Sequence, residues 1–195
     1  MLQGRDGNDF IQFIGGVQAM GDVTGGAGDD TIITGEGNDF INAGQGNDSI
    51  NGGGGKNFVS YADSPNGVTV NLNAGFASND GHGTTDTLTN IQNVEGSRHR
   101  DVLRGANSGS VIDAGAGNDD LIGGNGDDVM LGGAGADLIN GRDGTDTTTY
   151  LGSTVPVLVN LSNQTVLLTS PIDGLLINLS ANRGYGGEAQ GDRLF

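Results

Sequence analysis

The sequence predicts an all-β fold made of short, repeating strands, and three observations lead to this prediction. Glycine supplies 39 of the 195 residues, and glycine is among the least favourable residues in a helix interior. The glycines recur with a period of nine, and each period carries one aliphatic residue at a fixed position. Aspartate, a turn-forming residue, recurs two positions before that aliphatic residue.

The nine-residue repeats fall into two blocks with the consensus G-G-x-G-x-D-x-U-x, where U is apolar. The first block covers residues 25–60 and reads GGAGDDTII, TGEGNDFIN, AGQGNDSIN and GGGGKNFVS. The second covers residues 96–149 and reads GSRHRDVLR, GANSGSVID, AGAGNDDLI, GGNGDDVML, GGAGADLIN and GRDGTDTTT. An isolated unit, GRDGNDFIQ, occupies residues 4–12, and a degenerate unit with Gly21 in the aspartate position follows it.

The last three residues of each repeat are predicted to form a strand with its middle side chain facing inward, because alternate strand residues face opposite sides. The middle residues are Ile32, Ile41, Ile50 and Val59 in the first block, and Leu103, Ile112, Leu121, Met130 and Ile139 in the second. The preceding six residues must reverse the chain, and glycine permits the positive-φ conformations that a tight reversal needs.

Such a turn directs several backbone carbonyls to one side and adds an aspartate carboxylate. Oxygen donors of this kind suit Ca²⁺, which accepts six to eight of them in flexible geometry. Stacked turns bring the carboxylates close together, and two charges about 5 Å apart repel by roughly 3 kcal/mol at an effective dielectric of about 20. We therefore expect several calcium ions to be needed for folding.

The repeats resemble the RTX family, the hemolysin-type calcium-binding repeats of secreted bacterial proteins. The resemblance implies a parallel β-roll, a β-helix-like solenoid in which two repeats make one coil of about eighteen residues. It also implies that calcium ions lie between turns that are one coil apart in the sequence. Flanking segments that resemble extra β-strands continue or cap such stacks in the family.

On this resemblance, the predicted ligands are the aspartates of the repeats and the carbonyls of the turn glycines. The most complete pairs are Asp30 with Asp48, Asp119 with Asp137, and Asp128 with Asp146. The positions expected to be weaker or empty are Asp39 with Asn57, Asp128 with Ser110, and Asp101, and the insertion at residues 13–15 leaves the register of Asp9 with Asp30 open. The glycines are Gly26, Gly28, Gly35, Gly37, Gly44, Gly46, Gly115, Gly117, Gly124, Gly126, Gly133 and Gly135. By their phase, Asp29 and Asp120 fall outside the ligand position.

Four segments are predicted. Residues 1–60 and 96–149 form the two calcium-binding blocks, residues 61–95 form an intervening β segment, and residues 150–195 form a second, incomplete segment of the same kind. Alternation of Val68, Val70 and Leu72 with polar residues predicts a half-buried strand in the intervening segment. The chain is expected to be a fragment of a larger protein.

The net charge of −16 disfavours nucleic-acid partners, whose phosphates require basic surfaces. No apolar run approaches the length of a membrane span. No catalytic residue is predicted, because His82 and His99 lie in glycine-rich or repeat positions and no G-x-S-x-G or H-E-x-x-H motif occurs. This fragment is therefore not expected to be an enzyme, although the parent protein could carry an enzymatic domain.

Two functions remain open. The first is a calcium-binding module that folds on binding extracellular Ca²⁺ and supports the secretion, folding and stability of a larger secreted protein. The resemblance implies export through a type I secretion system. The alternative is a β-roll of a secreted enzyme or adhesin that contacts a polysaccharide or a cell-surface target. For such a contact the sequence offers Tyr150, Tyr185, Arg183 and Arg193.

Overall fold

The computed structural model describes residues 1–13 and 21–149, together with three later strands. All regular elements in these residues are β-strands, and they wind into a solenoid with two mainly parallel sheets that face each other across one core. No described residue belongs to a helix long and apolar enough to cross a membrane. The predicted parallel β-roll is therefore confirmed.

The first sheet contains nine of the described strands, in spatial order along the solenoid. They are β1 (Leu2–Gln3), β3 (Asp22–Ala27), β5 (Phe40–Gln45), β7 (Phe58–Ser60), β11 (Asn93–Glu95), β13 (Val111–Asp113), β15 (Val129–Leu131), β17 (Thr147–Thr149) and β19 (Thr165–Val166). These strands run parallel to one another.

The second sheet contains eleven of the described strands. In spatial order they are β2 (Phe10–Gln12), β4 (Thr31–Ile33), β6 (Ser49–Asn51), β10 (Asp86–Thr89), β9 (Phe76–Asn79), β8 (Thr69–Asn71), β12 (Val102–Arg104), β14 (Asp120–Ile122), β16 (Leu138–Asn140), β18 (Leu158–Asn160) and β20 (Leu176–Asn178). Most of the predicted segment 150–195 lies outside the described residues, which there include only β18, β19 and β20.

Successive coils stack with an offset of two repeats. Ile32 pairs with Ile50 in the second sheet, and Val23 pairs with Ile41 in the first. The first coil is longer, since Ile11 pairs with Ile32, and the extra residues belong to the insertion that starts at Phe13. Within each block the strands therefore keep the register that the nine-residue period predicts, and across the insertion Asp9 still lies beside Asp30.

The core is a ladder of aliphatic side chains between the two sheets. The middle residue of each repeat strand points inward, as predicted. Nine of these residues are at most 1% exposed: Ile32, Ile41, Ile50, Val59, Leu103, Ile112, Leu121, Met130 and Ile139. Burial of one such side chain stabilises the fold by about 2 kcal/mol, so each repeat contributes one modest increment to the core.

The intervening segment continues the stack between the two blocks. In the first sheet, β11 lies between β7 and β13 and is parallel to both. In the second sheet, β10 pairs in parallel with β6, and β8 pairs in parallel with β12. Strand β9 fills the space between β10 and β8 and is antiparallel to both. The predicted strand around Val70 is β8, whereas nothing in the periodicity predicts β9.

Two glycines allow the cost of close coil stacking to be measured. Gly133 and Gly83 both have positive φ, of 76° and 92°. A Cβ atom on Gly133 would overlap the carbonyl oxygen of Gly115 in the preceding coil, whereas a Cβ atom on Gly83 would meet no atom within 4 Å. Gly83→Ala thus introduces only backbone strain, of about 1–2 kcal/mol, and Gly133→Ala adds a backbone overlap.

We expect Gly133→Ala to lower the free energy of unfolding by at least about 1 kcal/mol more than Gly83→Ala does. Urea unfolding in saturating calcium, followed by circular dichroism, measures both variants against the wild type. Equal losses in the two variants would show that coil-to-coil backbone packing at Gly133 is looser than the structure indicates.

Candidate metal sites in the turns

The six-residue turns form two columns, one on each side of the solenoid. The first turn column leads from the first sheet to the second and contains residues 4–9, 25–30, 43–48, 96–101, 114–119 and 132–137, with β3 and β5 extending into the first half of the turns at 25–30 and 43–48. The second turn column leads back and contains residues 34–39, 52–57, 105–110, 123–128 and 141–146. Each turn ends with the aspartate position of its repeat, so the predicted ligands stack in two rows.

A hydrogen bond connects each predicted pair of aspartates. The backbone N–H of Asp30 donates to Oδ1 of Asp48 at 2.8 Å. The same bond joins Asp119 to Asp137 at 3.1 Å and Asp128 to Asp146 at 3.0 Å. The same bond also joins Asp9 to Asp30, Gly21 to Asp39, Asp39 to Asn57, Asp101 to Asp119, and Ser110 to Asp128. The structure therefore brings together the side chains that the repeat spacing predicts to be neighbours.

The second carboxylate oxygen has no protein partner in five of these turns. Oδ2 is buried and accepts no hydrogen bond in Asp30, Asp39, Asp48, Asp119 and Asp137. Burial of an ionised carboxylate without a partner is strongly unfavourable. A cation that binds this oxygen would remove the penalty, so these five turns fit the requirements of a metal ligand set.

Burial also changes the protonation of these aspartates. It raises the pKa of Asp48 to about 6 and that of Asp119 to about 7. Desolvation likewise raises the pKa values of Asp30, Asp101, Asp128 and Asp137. In each case burial is the largest cause, so without a counter-charge these carboxyl groups keep their protons to a higher pH than an exposed aspartate does.

Three turns supply their own partner for Oδ2. Oδ2 of Asp128 accepts the N–H of Gly124 at 2.7 Å. Oδ2 of Asp101 accepts the N–H of Ser97 at 2.7 Å, and the Ser97 hydroxyl donates to its Oδ1 at 2.8 Å. In the exposed turn 4–9, Asp9 accepts the N–H of Arg5 at 2.9 Å. The aspartate turns therefore divide into those with an unpaired carboxylate oxygen and those closed by their own backbone.

The predicted glycines lie at the second and fourth positions of the turns, where neighbouring coils approach most closely. Eight of them have positive φ: Gly26, Gly28, Gly44, Gly46, Gly115, Gly117, Gly133 and Gly135. The carbonyls of Gly35 and Gly37 face Gly53 and Gly55 of the next coil. Gly124 and Gly126 do not adopt the left-handed conformation. At Gly124 a Cβ atom would overlap the carbonyl of Ala106, so packing alone excludes a larger residue there.

Asp86, in the intervening segment, extends the first row of aspartates and was not among the predicted ligands. Its Oδ1 accepts the N–H of Asp48 at 3.0 Å, and its Oδ2 accepts the buried hydroxyl of Tyr61 at 2.8 Å. Burial raises its pKa to about 7. The available signal was the local spacing, since Asp86-Thr87-Leu88 has the same D-x-U pattern as Asp48-Ser49-Ile50.

The aspartates outside the ligand position differ from the predicted ligands. Asp29 is exposed, and hydrogen bonds from Asn47 lower its pKa. Asp120 is half-buried at the start of β14. Among the described residues, no three or more histidine, aspartate or glutamate side chains cluster closely enough to hold a metal. An ion in these turns would therefore take most of its ligands from backbone carbonyls.

The remaining candidate residues are two histidines and four surface candidates near the C-terminal end of the sequence. His82 and His99 are both exposed and lie on loops. The surface candidates Tyr150, Tyr185, Arg183 and Arg193 lie outside the described residues.

Comparison with known families agrees with the geometry of the turns. The family model of the RTX calcium-binding nonapeptide repeat, which spans four copies, matches residues 24–59, 95–130 and 122–148. No curated protein matches the chain. The matched residues include every turn of both columns except 4–9, and the repeat is a structural calcium-binding module rather than a catalytic fold. This chain carries RTX calcium-binding nonapeptide repeats over residues 24–59 and 95–148.

Proposed function

We propose that this module folds when it binds extracellular Ca²⁺ and thereby supports the folding, stability and secretion of a larger secreted protein. The observation that carries the proposal is the set of five buried carboxylate oxygens without a protein partner. They occur in both turn columns and in both blocks, so the unfavourable free energy of burying them is distributed along the solenoid.

Calcium ions would remove this cost. The ligands would be the carboxylates of Asp30, Asp39, Asp48, Asp119 and Asp137, together with carbonyls of their own and neighbouring turns. We propose a secondary contribution from Asp128 and Asp146. Ca²⁺ suits such a site because it accepts many oxygen ligands without strict geometry. When bound, it supplies positive charge among carboxylates that otherwise repel one another.

Weak sites would be useful in this role. Extracellular calcium modules have dissociation constants of about 10⁻⁴–10⁻³ M, far above the range of cytosolic sensors. A chain with such sites would stay unfolded inside the cell and fold outside it. The family is typical of secreted bacterial proteins, and we propose that the parent protein is exported by a type I secretion system. We propose no reaction for the described residues.

The first test is folding by calcium in comparison with magnesium. In a chelator, circular dichroism should show a largely disordered chain, and millimolar Ca²⁺ should produce the β-sheet signal. Equal concentrations of Mg²⁺ should leave the chain mostly disordered, because Mg²⁺ requires octahedral geometry and dehydrates reluctantly. A cooperative fold in the chelator that calcium does not change would refute the proposal, and equal folding by both ions would indicate charge screening instead.

A second test uses Asp119, whose Oδ1 accepts the N–H of Asp101 at 2.9 Å while its Oδ2 is unpaired. Asn in its place can keep the first contact and removes the buried charge. We expect Asp119→Asn to increase residual β structure in the chelator and to raise the calcium midpoint of folding by roughly tenfold, which corresponds to about 1.4 kcal/mol.

Asp120→Asn is the matched control, because it removes the same charge from the adjacent, half-buried position. Calcium titrations followed by circular dichroism should show little change for this variant. If the two variants shift the midpoint alike, total charge and not coordination controls folding, and the assignment of Asp119 as a ligand is wrong.

The raised pKa values predict how folding without calcium depends on pH. Asp48, Asp86 and Asp119 have folded-state pKa values of about 6, 7 and 7, against an ordinary aspartate pKa of 3.8. Protonation therefore favours the folded chain. This stabilisation is complete below about pH 4 and is lost as the pH rises through 6 to 7.

In the presence of a chelator, the β-sheet signal should increase as the pH is lowered from 7.5 to about 5. The calcium midpoint should rise over the same interval, because protons compete with calcium for the carboxylates. Circular dichroism across this pH series measures both effects. A chain that loses β structure on mild acidification would contradict the folded-state pKa values.

A further inference from the structure

Asn57 occupies the aspartate position of turn 52–57 and makes contacts that no aspartate can make. Its side chain is fully buried. Its Oδ1 accepts the N–H of Asp39 at 3.0 Å, as the carboxylates of other turns accept theirs. Its Nδ2 donates to the carbonyl oxygens of Gly52 at 2.6 Å, Gly54 at 3.0 Å and Asn90 at 2.8 Å.

These contacts establish which end of the amide is nitrogen. With oxygen and nitrogen exchanged, the oxygen would face three carbonyl oxygens and the NH₂ group would face the N–H of Asp39. Both arrangements would be repulsive, because carbonyls only accept and backbone N–H groups only donate. The amide nitrogen must therefore lie among the carbonyls.

Three carbonyl oxygens surround a group that has only two hydrogens to donate. Such a surplus of oxygen acceptors around one point is the environment that a calcium ion prefers. Nδ2 of Asn57 also occupies the branch that corresponds to Oδ2 of Asp30 and Asp48 in other turns, where that oxygen has no partner. The NH₂ group thus lies where a positive charge is missing elsewhere.

The surroundings of turn 52–57 are also satisfied without an ion. The N–H of Asn57 donates to Oε1 of Gln92 at 2.8 Å. The unpaired buried side-chain oxygens found in the described chain all precede residue 49 or follow residue 118. The stretch between them includes this turn and the intervening segment.

We propose that the side-chain amide of Asn57 takes the place of a calcium ion among the carbonyls of Gly52, Gly54 and Asn90, so that no ion binds at this point and the joint between the two blocks is held there without metal. The inference rests on the proposed binding of calcium in the other turns. According to this inference, Asn57 sets the position along the solenoid at which the row of bound calcium ions is interrupted.

The test is Asn57→Asp, with the number of bound ions as the readout. The new carboxylate would face three carbonyl oxygens, and only a cation can make that arrangement favourable. At saturating Ca²⁺, the variant should bind one more ion per chain than the wild type, as counted by native mass spectrometry and by equilibrium dialysis with radioactive calcium. Its calcium midpoint of folding should also rise, because the turn loses its metal-free bonds.

Asn118→Asp is the matched control. Asn118 is exposed, and its Oδ1 accepts the N–H of Ala136 at 2.9 Å. Asp127 makes the same contact with Thr145, so an aspartate at position 118 keeps the bond while adding the same charge. This variant should bind as many ions as the wild type does.

Each outcome distinguishes the two proposals. One additional ion in Asn57→Asp but not in Asn118→Asp supports the inference. An unchanged ion count in a folded Asn57→Asp chain overturns it, and so does a chain that fails to fold at any calcium concentration. If the wild type itself binds no calcium, the proposed function fails instead.

Discussion

The hydrogen bond from the backbone N–H of one turn to the carboxylate of the next coil organises the whole solenoid. It joins Asp30 to Asp48 and Asp119 to Asp137, and it recurs in both turn columns. Because this bond uses one carboxylate oxygen, it also orients the other. In turn 25–30 the second oxygen of Asp30 lies over the Cα of Gly25, where a Cβ atom would come within 2.5 Å of it. Register between coils, the small residue at the start of the turn and the direction of the free oxygen are therefore parts of one arrangement.

This arrangement concentrates negative charge in a chain that already has a net charge of −16. The turns differ in what they place against the second side-chain atom of the aspartate position, and three arrangements occur. Asp128 and Asp101 turn the second oxygen onto a backbone N–H of their own turn. Asn57 replaces that oxygen with a hydrogen-bond donor. Asp30 and four other aspartates leave it unpaired. The three arrangements share the six-residue turn but not its backbone conformation, since Gly26 and Gly28 have positive φ whereas Gly124 and Gly126 do not. The need for an external cation is therefore a local property of each turn and not a uniform property of the repeat.

The nine-residue period predicts the strands, the inward aliphatic residues and the neighbours of each aspartate, because one period corresponds to half a coil and spacing becomes distance directly. The ligand assignments and the segment boundaries remain predictions. Where the chain departs from the period, sequence spacing no longer predicts which residues are neighbours. Asp86 reaches Asp48 across 38 residues and an antiparallel strand, so the repeat period does not predict the contact, and only the local D-x-U pattern of residues 86–88 points to it. The role of the Asn57 amide depends on which of its two ends faces the carbonyls. The requirement for glycine at position 124 depends on close packing against the carbonyl of Ala106. Both are three-dimensional facts that a repeat pattern does not contain.

The hydrogen bonds at the aspartate position also give the solenoid a direction. In each of them the donor belongs to the earlier coil and the acceptor side chain to the later one, as in Asp101 with Asp119 and Asp128 with Asp146. The exposed bonds of the preceding position run the other way, as from Ala136 to Asn118. A coil therefore depends on its C-terminal neighbour to satisfy the N–H of its aspartate position, whereas its N-terminal neighbour depends on it in the same way. Because a chain is synthesised from its N-terminus, every coil is synthesised before the side chain that accepts the hydrogen bond from its aspartate-position N–H. If folded coils add toward the N-terminus, each new coil donates its N–H to a carboxylate that is already ordered. If they add toward the C-terminus, the last ordered coil keeps an N–H without an acceptor until the next coil folds.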